Sequence, residues 1–101
     1  MTVVVTRDVA DRFRGFLAST MLEIAPGVYT APRMNKAVRE RVWSVLKEWF
    51  IDLGGGGIVM TWRSPSAVTQ QEVLVLGEPP KELVDHEGVI LVRHEARSLT
   101  A

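Results

Sequence analysis

Asp8 follows the β-branched run Val3-Val4-Val5 and precedes a helical pattern, which places it at the carboxyl end of a first strand. An acid at that position has two uses. Its carboxylate can cap the next helix by accepting orphan backbone N–H groups. Alternatively, Asp8 from two chains of a two-fold dimer can meet and share one hard cation such as Mg²⁺, which a lone carboxylate binds weakly. In that second use Asp8 is a candidate metal ligand.

Arg12 and Arg14 follow in the helix, with Arg7 just before it. At two-residue spacing the first two diverge by roughly 200°, so they do not form one fork, but long arginines flank a nucleic-acid backbone from both sides. In that role they anchor phosphates and set affinity without reading sequence. As solvated surface charges they need no function. Gly15 beside them lacks a side chain, which leaves room for a phosphate or for another backbone.

Other chemistry has little support. His86 and His94 lie on different elements, with no close His/Asp/Glu spacing for zinc, and the serines and threonines stand near no obvious His/Asp pair. Gly54-Gly55-Gly56-Gly57 follows a helix and precedes a strand, with no Gly-Lys-Ser/Thr, so it reads as a helix terminator and not as a phosphate loop. There is no cysteine, which excludes disulfides, thiolate zinc sites and thiol catalysis.

The charge is balanced overall, with 12 basic and 12 acidic side chains. Residues 1–50 nevertheless carry eight basic and five acidic groups, and residues 51–101 carry four and seven. The excess is either an uneven solvated surface or a polyanion-binding face opposite an acidic one.

A chain of 101 residues makes one domain, here 1–101, with hydrophobic residues at 47%, enough for a modest core. Its apolar runs are far shorter than the roughly 18 residues of a membrane span, and its start lacks a signal-peptide pattern. A cytoplasmic protein without membrane contact is expected.

The elements that must position these side chains follow from periodicity. Val9, Phe13, Phe16, Leu17 and Met21 fall at helical spacing. Leu22-Glu23-Ile24 and Val28-Tyr29-Thr30 flank Ala25-Pro26-Gly27, a hairpin signal. Asn35 is a good N-cap for a long helix with the stripe Ala37, Val38, Val42, Val45, Leu46, Trp49 and Phe50. Strands follow at Ile58–Trp62, Glu72–Leu76 and Val89–Val92, with a polar segment from Pro79-Pro80 before the last. The order β-α-β-β-α-β plus additional C-terminal strands is α+β, on the ferredoxin-like plan, with a core over about 1–77. One face of such a sheet lacks helices. The extra strands, including Val73, Val75 and Val89–Val92, can extend a partner's sheet and make a homodimer.

Several short motifs stand in a familiar order: Val3-Val4-Val5-Thr6, Arg12-Phe13-Arg14-Gly15, Met21-Leu22-Glu23-Ile24, Gly27-Val28-Tyr29, Val38-Arg39-Glu40-Arg41-Val42-Trp43, Gly77-Glu78 and Glu87-Gly88-Val89. Over nearly all of its length the chain resembles the small CRISPR-associated adaptation protein Cas-two in its type I-E form. The resemblance implies a ferredoxin-like homodimer that bridges two dimers of the integrase subunit, Cas-one. It implies that this assembly holds double-stranded prespacer DNA for integration, with strand transfer left to the integrase. The family is also described as metal-dependent endonucleases whose ligand is the acid after the first strand, which implies Asp8, paired across the dimer, as metal ligand and catalytic residue of a Mg²⁺-dependent endonuclease acting on RNA or DNA. Type I-E members carry Glu-Asn there, and this chain has Arg7-Asp8, so the acid stands one residue later.

The resemblance makes Arg12 and Arg14 duplex contacts. Arg39, off the stripe of the second helix, joins them as a DNA-binding candidate. So does Lys81, which with Pro80 stands where the family has an arginine pair. The segment 88–95, through Val89, Ile90, Leu91 and Val92, matches the strand that grips the integrase. Its apolar edge invites pairing by β-augmentation. A DNA-holding scaffold is the first expectation and the endonuclease the second. A ligand-binding or toxin-type domain on the same fold is the third.

Overall fold

The computed structural model describes residues 1–77 in full and, by their backbone pairing, the strands Glu82–His86 and Val89–Arg93. The order is β1 (Thr2–Arg7), α1 (Asp11–Thr20), β2 (Leu22–Ala25), β3 (Val28–Ala31), α2 (Lys36–Leu53), β4 (Gly57–Arg63), β5 (Gln71–Gly77), β6 (Glu82–His86) and β7 (Val89–Arg93). Strands β1 to β5 form one antiparallel sheet in the order β2-β3-β1-β4-β5. The first four follow the ferredoxin-like plan, and β5 extends the sheet beyond β4. Strands β6 and β7 pair separately as a hairpin.

Alternation along the strands decides which residues meet the helices. Val4, Tyr29, Ile58 and Met60 are buried on one face against Phe13 and Leu17 of α1 and Val42 and Leu46 of α2. The α2 cap is the expected one, because the Asn35 side chain accepts from the Val38 N–H at 2.9 Å. The opposite face carries a cross-strand row of four valines, Val28, Val5, Val59 and Val75, in direct register on β3, β1, β4 and β5. Val5, in this row, is 41% exposed. A triple-valine strand reads as buried on both faces, and the helices cover only one.

Three expectations are corrected. Asp8 does not cap α1. The N-cap is Ala10, with no side-chain cap bond, and Asp8 lies two residues earlier at φ 54°. Asp tolerates this left-handed turn, which lets Val9 pack against the core from outside the helix. Gly15 meets no other backbone, since a Cβ there has open space within 4 Å. Within the single chain β5, Val73 and Val75 included, pairs along Gln71–Gly77 with β4 and forms an edge of the sheet. The stretch read as polar after Pro79-Pro80 contains β6, which pairs with β7 in register from Glu82↔Arg93 to His86↔Val89. Its charged ends mask the short apolar centre Leu83-Val84.

The glycine run does more than end α2. Gly54 is the C-cap, but Gly56, at φ 67°, packs under the turn at Asp8, where a Cβ would overlap the carbonyl oxygens of Arg7 and Asp8. Gly56 therefore fixes the backbone that carries the first strand's acid.

Candidate nucleic-acid interface

Three of the arginines singled out from the sequence rest on partners within the chain. Arg12 lies over the Trp49 ring at 4.0 Å from its centroid. Trp49 is itself held edge-to-face by Phe13 at 5.9 Å and Phe16 at 5.2 Å. The aromatic cluster at the α1–α2 seam thus sets the direction of a cation whose outer side meets solvent. Stacking of this kind contributes about 0.5–1 kcal/mol at an exposed site, enough to bias a rotamer and too little to immobilise it.

Arg14 diverges from Arg12 as the helical spacing requires and turns toward the β2–β3 hairpin. Its Nη2 lies 3.8 Å from Glu23 Oε2, with the two side chains 50% and 33% exposed. The same Oε2 accepts the Gly27 N–H at 3.0 Å. Gly27 is held in turn by Thr6, whose N–H and hydroxyl both donate to the Gly27 carbonyl, at 2.7 and 3.1 Å. A Cβ on Gly27 would stand 2.8 Å from the Thr6 carbonyl oxygen, and its φ is 77°, so glycine alone fits. The end of β1, the hairpin turn, Glu23 and Arg14 therefore form one connected unit.

The Gly27 N–H, and then the Tyr29 hydroxyl, hold the Glu23 carboxyl below the usual range, with Arg14 adding to the effect against partial desolvation. Glu23 is therefore ionised throughout the neutral range. The Tyr29 hydroxyl is buried without a hydrogen bond of good geometry, although Arg14 and Glu23 stand close enough to affect its titration. Burial, the larger influence, pushes it above its ordinary value.

Arg39 stacks on Trp62 of β4, 4.2 Å from the ring centroid. It lies ten residues before Trp49 on α2, about 15 Å along the helix axis. Arg39 and Arg12 thus stand too far apart to serve one phosphate. Lys36 pairs with Glu40 at 3.9 Å across one helical turn, which offsets the charge it adds beside Arg39. Lys81 lies outside the described residues. Strand β7, which carries Val89, Ile90, Leu91 and Val92, is described only through its pairing with β6.

Asp8 stands on the surface beside a cation, with its side chain 84% exposed and Arg7 Nε at 3.9 Å. Among the described residues no group of three His, Cys, Asp or Glu side chains could hold a metal ion. Among the described residues Asp8 therefore belongs to no three-donor set that a divalent ion would need, and a second copy is one way to complete it. His94 lies outside the described residues.

Sequence reasoning found the arginines and missed their supports. Trp49 and Trp62 read as members of the apolar pattern, and Glu23 as one residue of a hairpin. No local spacing links positions 12 and 49 or 14 and 23. Among the described residues no helix is long and apolar enough to cross a membrane.

A family model described as CRISPR-associated protein (Cas_Cas2CT1978) matches residues 1–91. The match spans the whole ferredoxin-like sheet, both helices and all three arginines. The chain accordingly belongs to the CRISPR-associated Cas-two family in its type I-E form, which implies a role in spacer acquisition.

Proposed function

We propose that the protein is a non-catalytic scaffold of spacer acquisition, a homodimer that holds prespacer duplex through phosphate contacts and bridges two integrase dimers. The observation that carries this reading is the set of three partnered arginines on the helical layer, set against an Asp8 carboxylate that is exposed and faces a cation. Phosphate anchoring needs directed cations and no fixed metal. The valine row supplies the surface on which two copies meet. Lys81 is a further duplex contact in this reading, and the β7 edge not used by β6 is the part that adds to the integrase.

Asp8 separates the scaffold from the endonuclease. Asp8→Asn keeps the shape of the turn, since Asn tolerates positive φ as Asp does. Spacer acquisition in cells carrying Asp8→Asn is expected to stay within about twofold of wild type. Acquisition lost in that variant, together with a cleavage activity of the pure protein that EDTA and Asp8→Asn both abolish, establishes the nuclease instead.

The C-terminal strand is tested by truncation. Removing residues 88–101 takes away β7 and leaves the five-stranded sheet whole. Co-purification with the integrase should fall below detection while the dimer persists in light scattering. A truncated protein that still brings down the integrase assigns that contact to another surface.

A further inference from the structure

Arg14 is already engaged when no DNA is bound. Its guanidinium faces Glu23 Oε2 at 3.8 Å, and that oxygen is fixed by the Gly27 N–H at 3.0 Å. The carboxylate is anchored on the hairpin turn, whereas Arg14 is a long side chain, half exposed, free to swing outward. We propose that Glu23 is a positioning residue that competes with DNA phosphate for Arg14, so that it aims the arginine and also limits how tightly the duplex is held. This rests on the reading that Arg14 contacts the duplex.

The physical argument is one of exchange. A phosphate that takes Arg14 either displaces Glu23 or accepts a cation whose charge is partly neutralised by it. Either way, less net positive charge is delivered to the DNA, and fewer counterions are released, than by an unpartnered arginine. The pair is long and partly solvated, so the restraint is modest, in the range of an exposed ion pair. A scaffold that must later surrender its DNA to an integrated product is served by a restraint of that size.

Glu23→Gln tests it, because the amide oxygen still accepts from Gly27 and the charge alone is lost. Glu23→Asn serves as a second neutral variant, and thermal melts establish that each is folded. Binding of a labelled duplex of arbitrary sequence is titrated with salt for wild type, Glu23→Gln, Arg14→Ala and the double variant, each with the integrase present. Glu23→Gln should bind up to about fivefold tighter per protomer and steepen the log K against log salt slope by up to about 0.9 per protomer. The gain should vanish in the Arg14→Ala background, because the two residues act through each other. Unchanged or weaker binding by a folded Glu23→Gln, while Arg14→Ala does weaken it, overturns the competition and leaves the duplex contact standing. A gain that persists without Arg14 reduces Glu23 to general repulsion and also overturns it. No effect of Arg14→Ala removes the underlying reading itself.

Discussion

Val5→Glu is expected to convert the protein from a dimer to a folded monomer. Val5 sits in the middle of the row Val28, Val5, Val59 and Val75, on the sheet face that no helix covers. In the single chain it is 41% exposed, so a glutamate there stays hydrated and the fold survives. In a face-to-face dimer it is buried twice without a partner. An uncompensated buried charge costs about 3–5 kcal/mol. Two of them weaken association by at least about four orders of magnitude, at 1.4 kcal/mol per factor of ten. Light scattering at micromolar concentration should report the 11.2 kDa chain mass for the variant and twice that for wild type. Duplex binding should fall with it, since one duplex then meets the arginines of a single protomer. A variant that remains dimeric places the interface elsewhere.

Arg12→Ala combined with Arg14→Ala is expected to weaken duplex binding by the adaptation complex at every sequence tested. If each arginine contributes about 1 kcal/mol, near the ordinary net value of a hydrogen bond, the loss is roughly thirtyfold per protomer. Stability should change little. Arg12 gives up one stacking contact on Trp49, and Arg14 one loose, exposed ion pair, each worth about 1 kcal/mol or less. Spacer acquisition should drop in parallel, while dimerisation and integrase binding hold.

Much of the fold is legible in the sequence because it rests on short-range signals. The Asn35 cap, the Pro26-Gly27 turn and the helical stripe through Val42 and Leu46 each act within one or two turns of chain. Strand β6 escaped because a five-residue strand, Glu82-Leu83-Val84-Asp85-His86, has too short an apolar centre to show a period. The start of α1 was misplaced because Asp8 can serve either a cap or a left-handed turn. What decides between them is Gly56, packed under the Asp8 carbonyl from far along the chain.

The candidate interface is half legible. Arginine type and charge asymmetry single out Arg12 and Arg14, with Arg39 joining them as a further candidate. The supports that aim them, Trp49, Glu23 and Trp62, come from other elements and become visible only once the sheet and helices are assembled. The triple valine, by contrast, held more than the single chain uses. Its alternate members are the open face that a second copy is proposed to cover.

The central claim, that this protein holds DNA by its backbone phosphates through Arg12 and Arg14, is tested most directly by salt titration of duplex binding. Wild type and the Arg12→Ala, Arg14→Ala double variant are compared in complex with the integrase, on two duplexes of unrelated sequence. Counterion release sets a slope of about −0.9 per phosphate neutralised. The double variant should therefore lose about two units of slope per protomer, equally on both duplexes. An unchanged slope, or a loss confined to one sequence, contradicts the account and puts the duplex on another surface.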